Sequence, residues 1–214
     1  MNKRIWAIAL LSLTQSATAD SEGLRVKITP TIDSVSVTQG EHHVTISRHQ
    51  DATNRVNPDY AKTSRDCPPF CIQTMTIAPG VDTVGELEVL EYLRLIGSGD
   101  DSIVVIDSRT PEWVANGTIP GSVNIPWTSL TPSAGADPFA ISDTLEKQFG
   151  VVNQEGLWNF SGVRTLILFC NGPWCGQSSA IIKSLLSFGY PAHKIKWYRG
   201  GMQDWEILGL TVLR

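Results

Sequence analysis

Cys170-Asn171-Gly172-Pro173-Trp174-Cys175-Gly176-Gln177-Ser178 places two thiols five residues apart in a Gly- and Pro-containing stretch. It follows the apolar run Thr165–Phe169 and precedes residues of helical spacing. A thiol at the base of such a loop faces free backbone N–H groups and the positive end of a helix, which favour thiolate over thiol and can hold an anion. Cys170 is therefore a candidate nucleophile; the competing reading is a buried, inert cysteine or half of a disulfide. A second thiol at Cys175 can attack an oxidised Cys170 and close a bridge. Such a pair serves as a resolving couple, a redox couple or a fixed crosslink. Asp107, after the apolar run Ile103–Ile106, is the other candidate, because ligands in open α/β sheets bind beyond the carboxyl ends of the strands.

The elements that must position these residues are legible as periodicities. Ile103-Val104-Val105-Ile106 and Thr165–Phe169 are short continuous apolar runs, expected of parallel strands covered on both faces. Ile181, Ile182, Leu185 and Leu186 recur at helical spacing up to Gly189, and Ile195–Tyr198 forms a further strand, giving a right-handed βαβ unit. Thr83-Val84-Gly85-Glu86 has the form of a capping box, so a helix is expected over 83–96, ending at Gly97. The fold class is thus α/β, a parallel sheet flanked by helices.

Upstream, Leu24–Arg48 alternates as strands do, with a Gln39-Gly40 turn, and predicts a small N-terminal β appendage. Residues 49–79 are polar and Pro-rich, and Cys67-Pro68-Pro69-Phe70-Cys71 reads as a rigid, non-helical kink. A local Cys67–Cys71 disulfide, or pairing with another cysteine, is favoured over a zinc site, and no metal or cofactor is expected. Residues 20–80 then form the appendage and connector, and 81–214 the main domain.

Met1–Arg4 carries two cations, Ile5–Leu13 is apolar, and Ala17-Thr18-Ala19 precedes Asp20, which is the order of a signal peptide spanning 1–19 with cleavage near Ala19. The expected location is periplasmic or secreted, with no membrane association after cleavage, and all four cysteines would meet oxidising surroundings. Cleavage removes two cations and no acid, taking the net charge from −4 to −6. With no basic cluster, nucleic acid is not an expected partner.

Asp107-Ser108-Arg109, Glu112-Trp113 and Gly117-Thr118-Ile119-Pro120-Gly121-Ser122-Val123-Asn124-Ile125-Pro126 resemble the first signature of a rhodanese domain. Cys170 with its loop and helix, then Tyr198-Arg199-Gly200-Gly201-Met202, Trp205 and Gly209-Leu210-Thr211-Val212, resemble the second half. The resemblance covers about residues 81–213. It implies a rhodanese-like sulfurtransferase fold in which Cys170 carries sulfane sulfur as a persulfide to a thiophilic acceptor. Residues 171–178 then bind substrate or persulfide, and Asp107 and Arg109 brace the site or form a purely structural ion pair. The partners implied are a small sulfur donor or low-molecular-weight thiol, or the thiol of a partner protein.

Two departures bear on mechanism. Aligned on Gly189, Ser178 stands two positions later than the family's usual Ser or Thr, so the loop is longer. It also has no charged residue over 171–177 to grip an oxyanion. Phosphatase and arsenate-reductase relatives need an Arg there, which weighs against those activities. Cys175 keeps a thiol–disulfide redox role open, and the scaffold is equally compatible with a non-catalytic binding module. Trp174 is expected as a lid or docking surface, or packed against Leu157–Phe160, and residues 131–163 are expected to shape the pocket entrance.

Overall fold

A computed structural model describes residues 23–214; the expected signal peptide lies outside them. In chain order the elements are β1 (Ser34–Gln39), β2 (His42–Ser47), α1 (Pro58–Ala61), β3 (Asp82–Val84), α2 (Glu86–Gly97) and β4 (Ile103–Asp107). There follow α3 (Pro111–Ala115), β5 (Val123–Asn124), α4 (Pro138–Phe149), β6 (Val152–Gln154), β7 (Leu157–Asn159), β8 (Thr165–Phe169), α5 (Gln177–Phe188), β9 (Ile195–Tyr198) and α6 (Gly201–Ile207).

Five strands form one parallel sheet in the order β3-β9-β8-β4-β5. Asp107 pairs with Phe169, and Phe169 with Tyr198, so the carboxyl ends of the three central strands lie level and Cys170 emerges between its neighbours. The continuous apolar character of β4 and β8 follows from cores on both faces. One holds Ile106, Leu168, Ile181, Leu185 and Trp197; the other holds Val105, Phe169, Val89, Leu93, Met202 and Trp205.

The N-terminal hairpin belongs to this second core. Val35, Val37 and Ile46 pack with Val89, Leu90 and Leu93 of α2. The Gln39 side chain accepts the Gly121 N–H at 2.6 Å. Gly121 has φ +86°, and a Cβ there would stand 2.9 Å from Leu93 Cδ2, so glycine permits both the turn and the docking.

Two sequence expectations need correction. Strand structure begins at Ser34, not near Leu24, because Thr29–Ile32 closes a tight turn around Pro30: Ile28 N and Thr29 N both donate to Ile32 O, and the Thr29 hydroxyl accepts Ile32 N. The helix expected over 83–96 runs over Glu86–Gly97 instead. Thr83 is claimed by strand β3 through pairing with β9, and the cap is Gly85, whose N–H reaches the Glu88 carboxylate at 2.9 Å.

Candidate active site

The loop between β8 and α5 folds around the sulfur of Cys170, which is 3% exposed. The Ser178 hydroxyl donates to Cys170 Sγ at 3.3 Å, and the Trp197 indole N–H donates to Ser178 Oγ at 3.1 Å. The backbone N–H groups of Gly172 and Ser178 also point at the sulfur. In its protonated form the thiol itself reaches the Cys175 carbonyl at 3.3 Å. Burial opposes ionisation of Cys170, but hydrogen bonds from the Cys175 thiol, the Ser178 hydroxyl and the two amides outweigh it and bring the thiol down to about 7. Burial and the neighbouring Cys170 sulfur hold Cys175 well above an ordinary thiol. The two therefore titrate as a pair in which the first proton lost belongs mainly to Cys170.

The start of α6 anchors the loop. Gly201, with φ +56°, brings the start of α6 against the base of the loop; a Cβ there would lie 2.2 Å from the Cys170 carbonyl oxygen. That carbonyl accepts Met202 N at 3.0 Å, and Asn171 O accepts Gln203 N at 2.9 Å. Trp174 is held by its indole N–H to Gln203 Oε1 at 2.6 Å.

Asp107 and Arg109 meet at 2.6 Å with both side chains essentially unexposed. The guanidinium further donates to the Gly117 and Trp113 carbonyls, Asn171 Oδ1 and the Tyr60 hydroxyl. Asp107 also accepts the Thr118 hydroxyl. The pair thus braces the loop through Asn171, next to Cys170. It is also structural, since every direction of the guanidinium is occupied and none is left for substrate. Burial pushes the Tyr60 phenol up to about 12, which keeps its proton available to Asn171 at 3.3 Å.

Cys67 and Cys71 form a disulfide, leaving Cys170 and Cys175 as free thiols. The segment 60–76 straps across the active-site loop. Gln73 N donates to the Pro173 carbonyl at 2.7 Å, Gln73 Oε1 accepts the Ser179 hydroxyl, and Arg199 donates to the carbonyls of Gln73 and Thr74. Phe70 meets Trp174 edge-on at 5.7 Å, and the Arg65 guanidinium lies 3.8 Å over the Trp174 ring.

A cavity of about 280 Å³ opens beside the loop, lined by residues that include Phe70, Trp113, Trp127, Trp174, Cys175 and Gln177. The expected role of residues 131–163 is overturned, because none of them lines it. Trp158 and Phe160 pack on Phe188 and Tyr190 on the other side of the sheet, so Trp174 does not touch them either. Tyr60, Phe70, Gln73 and Gln203 went unrecognised in the sequence. The only signal for them was the Cys67-Pro-Pro-Phe-Cys71 kink, which fixes where the chain turns but not what it turns toward.

A family model described as a rhodanese-like domain matches residues 89–208. The chain belongs to this family. Among curated proteins, it is 28% identical over 137 residues to a thiosulfate:glutathione sulfurtransferase of Saccharomyces cerevisiae, covering 64% of this chain and 88% of the relative. Among solved structures, a human single-domain sulfurtransferase shares 23% identity at TM-score 0.38, covering 58% of this chain and 95% of that one. A Bacillus halodurans protein shares 18% identity at TM-score 0.40, covering 58% and 70%. Membership of the rhodanese-like family, together with a sulfurtransferase relative, supports a sulfurtransferase-type function.

Proposed function

We propose that the protein is an exported sulfurtransferase that carries sulfane sulfur as a persulfide on Cys170. The observation that carries this reading is the buried Cys170 sulfur, lowered to about 7 by donors that converge on it. A thiolate so placed attacks the sulfane sulfur of a small donor. The donor's S–S bond breaks, its electron pair leaves with the remainder of the donor, and Cys170 holds the transferred sulfur. The Ser178 hydroxyl and the amides of Gly172 and Ser178 are positioned to stabilise the negative charge in both the thiolate and the persulfide. An acceptor thiolate, on a small molecule or a partner protein, then attacks the outer sulfur and releases Cys170 as thiolate.

The yeast relative's name supplies thiosulfate and glutathione as the first donor and acceptor to assay. Intact mass of the mature protein before and after donor exposure is the direct test. A gain of one sulfur, mapped to Cys170 and absent in Cys170→Ser, is expected. Transfer activity retained by a folded Cys170→Ser protein would refute the carrier role. N-terminal sequencing of protein from the source cells should begin at Asp20.

Two free, buried thiols in one loop, each shifting the other's ionisation, favour a second reading, a thiol–disulfide redox couple. It predicts that Cys175→Ser traps a mixed disulfide or stops turnover. Wild-type behaviour of that variant removes Cys175 from the working chemistry.

A further inference from the structure

The cavity beside the active-site loop is built from four separate parts of the chain. Pro69 and Phe70 come from the disulfide-closed strap, Trp113 from α3, Trp127 from the turn after β5, and Trp174 from the loop that encircles Cys170. Cys175 is part of its lining, and the carbonyl of that residue accepts the Cys170 thiol at 3.3 Å, so the cavity lies against the loop that holds Cys170. At about 280 Å³ it sits at the small end of ligand pockets, room for one ring and a short chain and not for a macromolecule.

No ionised side chain lines it. Arg109 is enclosed, with its donors spent on Asp107, Gly117, Trp113, Tyr60 and Asn171. Lys62 and Arg65 face a separate cleft beyond Phe70 and Trp174, where Arg65 stacks on the Trp174 ring. A small, multiply charged oxyanion would lose water on entering and find no cation to replace it. A flat apolar group would instead find aromatic faces and edges, while its sulfur reached the loop. Larger clefts exist, notably one lined by Arg48, Arg55 and Arg214, but no thiol borders it.

We infer that this cavity is the subsite for the organic group of the sulfur donor, and that the donor is an organic persulfide-type compound bearing an apolar, preferably aromatic, substituent. The inference rests on Cys170 being the sulfur carrier. For a donor R–S–SH, the Cys170 thiolate takes the terminal sulfur with its proton as Cys170–S–SH, the S–S bond breaks, and R departs as the thiolate RS⁻ from the aromatic cavity.

Benzenethiosulfonate and methanethiosulfonate provide the test, because they share one reacting group and one charge and differ only in the organic part. In each, Cys170 thiolate takes the sulfane sulfur and the S–S electron pair leaves with the sulfinate. The rate of sulfur loading onto Cys170 is measured by mass for each donor, using protein with the Cys67–Cys71 bridge intact. Each rate is normalised to that of the same donor with free cysteine. A preference for the benzene donor of tenfold or more is expected, shrinking at least threefold in Phe70→Ala and in Trp113→Ala. Phe70 is 39% exposed, so its truncation is compatible with folding. Equal normalised rates, or a preference that both variants leave intact, overturn the inference while the carrier role stands. If neither donor loads Cys170, the carrier role itself fails and takes this inference with it.

Discussion

Ser178 Oγ stands 3.3 Å from Cys170 Sγ with its proton committed to the sulfur. The commitment comes from Trp197: an indole N–H can only donate, so by donating to Ser178 at 3.1 Å it occupies an oxygen lone pair and leaves the hydroxyl hydrogen for Cys170. A residue on β9 thereby orients a hydroxyl on α5 toward the Cys170 sulfur at the end of β8.

Removing that hydroxyl tests the relay. A hydrogen bond to a charged group contributes roughly 1.5–3 kcal/mol, so Ser178→Ala should raise the Cys170 pKa by about one to two units. Iodoacetamide alkylation at pH 7 should slow by about five- to fiftyfold, while Ser178→Thr should stay near wild type. An unchanged alkylation rate in Ser178→Ala would place the stabilisation with the amides and Cys175.

The pH dependence of Cys170 follows from the same contacts. With the thiol lowered to about 7, the thiolate is scarce below that pH and nearly complete above it. The loading or alkylation rate should therefore rise about tenfold per pH unit up to 7 and then level off. An ordinary thiol would continue rising to about 8.5. Because Cys175 is pushed upward, a second rise belonging to it should appear only well above the ordinary thiol range.

The Cys175 side chain is among the groups that lower the Cys170 thiol, with its own S–H 3.8 Å from Gln177 Oε1, and this separates its electrostatic role from any redox one. Cys175→Ser keeps a donor and should hold the Cys170 pKa low. Cys175→Ala removes the donor and should raise it by about a unit. Titration of alkylation rates in the two variants measures the difference, and equal values in both would assign the lowering to Ser178 and the loop amides.

The sheet and the loop that holds Cys170 were legible because their signals are local. Continuous apolar runs named β4 and β8, and a cysteine between such a run and a helix named the site. The capping box at Thr83 misled because the same four residues can cap a helix or pair as a strand, and pairing with Asp82–Val84 was decided by β9, more than a hundred residues away. The strap was illegible for a related reason. Phe70 and Gln73 serve the site through contacts with Trp174, Pro173 and Arg199, and no spacing within 60–76 encodes those distant partners. The Trp158–Phe160 pair could be recognised as aromatic but not assigned a side of the sheet.

Arg109 should be intolerant of change on grounds of stability as well as activity. Breaking a fully buried ion pair by removing one partner costs about 3–5 kcal/mol, because the other charge remains desolvated. Arg109→Leu leaves Asp107 in that state and should lower the melting temperature by on the order of 10 °C. Asn171 also loses its guanidinium contact, so the loop loosens and Cys170 alkylation should change together with stability.

Two glycines with left-handed backbones distinguish a general cost from a site-specific one. Gly121→Ala and Gly201→Ala both force an L-residue to positive φ, +86° and +56° respectively, and both bring a Cβ into contact, so each should destabilise the fold by at least about 1 kcal/mol. The obstacles differ. At Gly121 the new methyl meets Leu93 Cδ2, a side-chain end remote from the loop. At Gly201 it meets the carbonyl oxygen of Cys170, which cannot move without moving Cys170 itself. Melting temperature should therefore fall in both variants, but the Cys170 pKa read from alkylation should shift only in Gly201→Ala. A shift of equal size in Gly121→Ala would mean that the loop responds to overall stability and not to the contact that α6 makes beneath it.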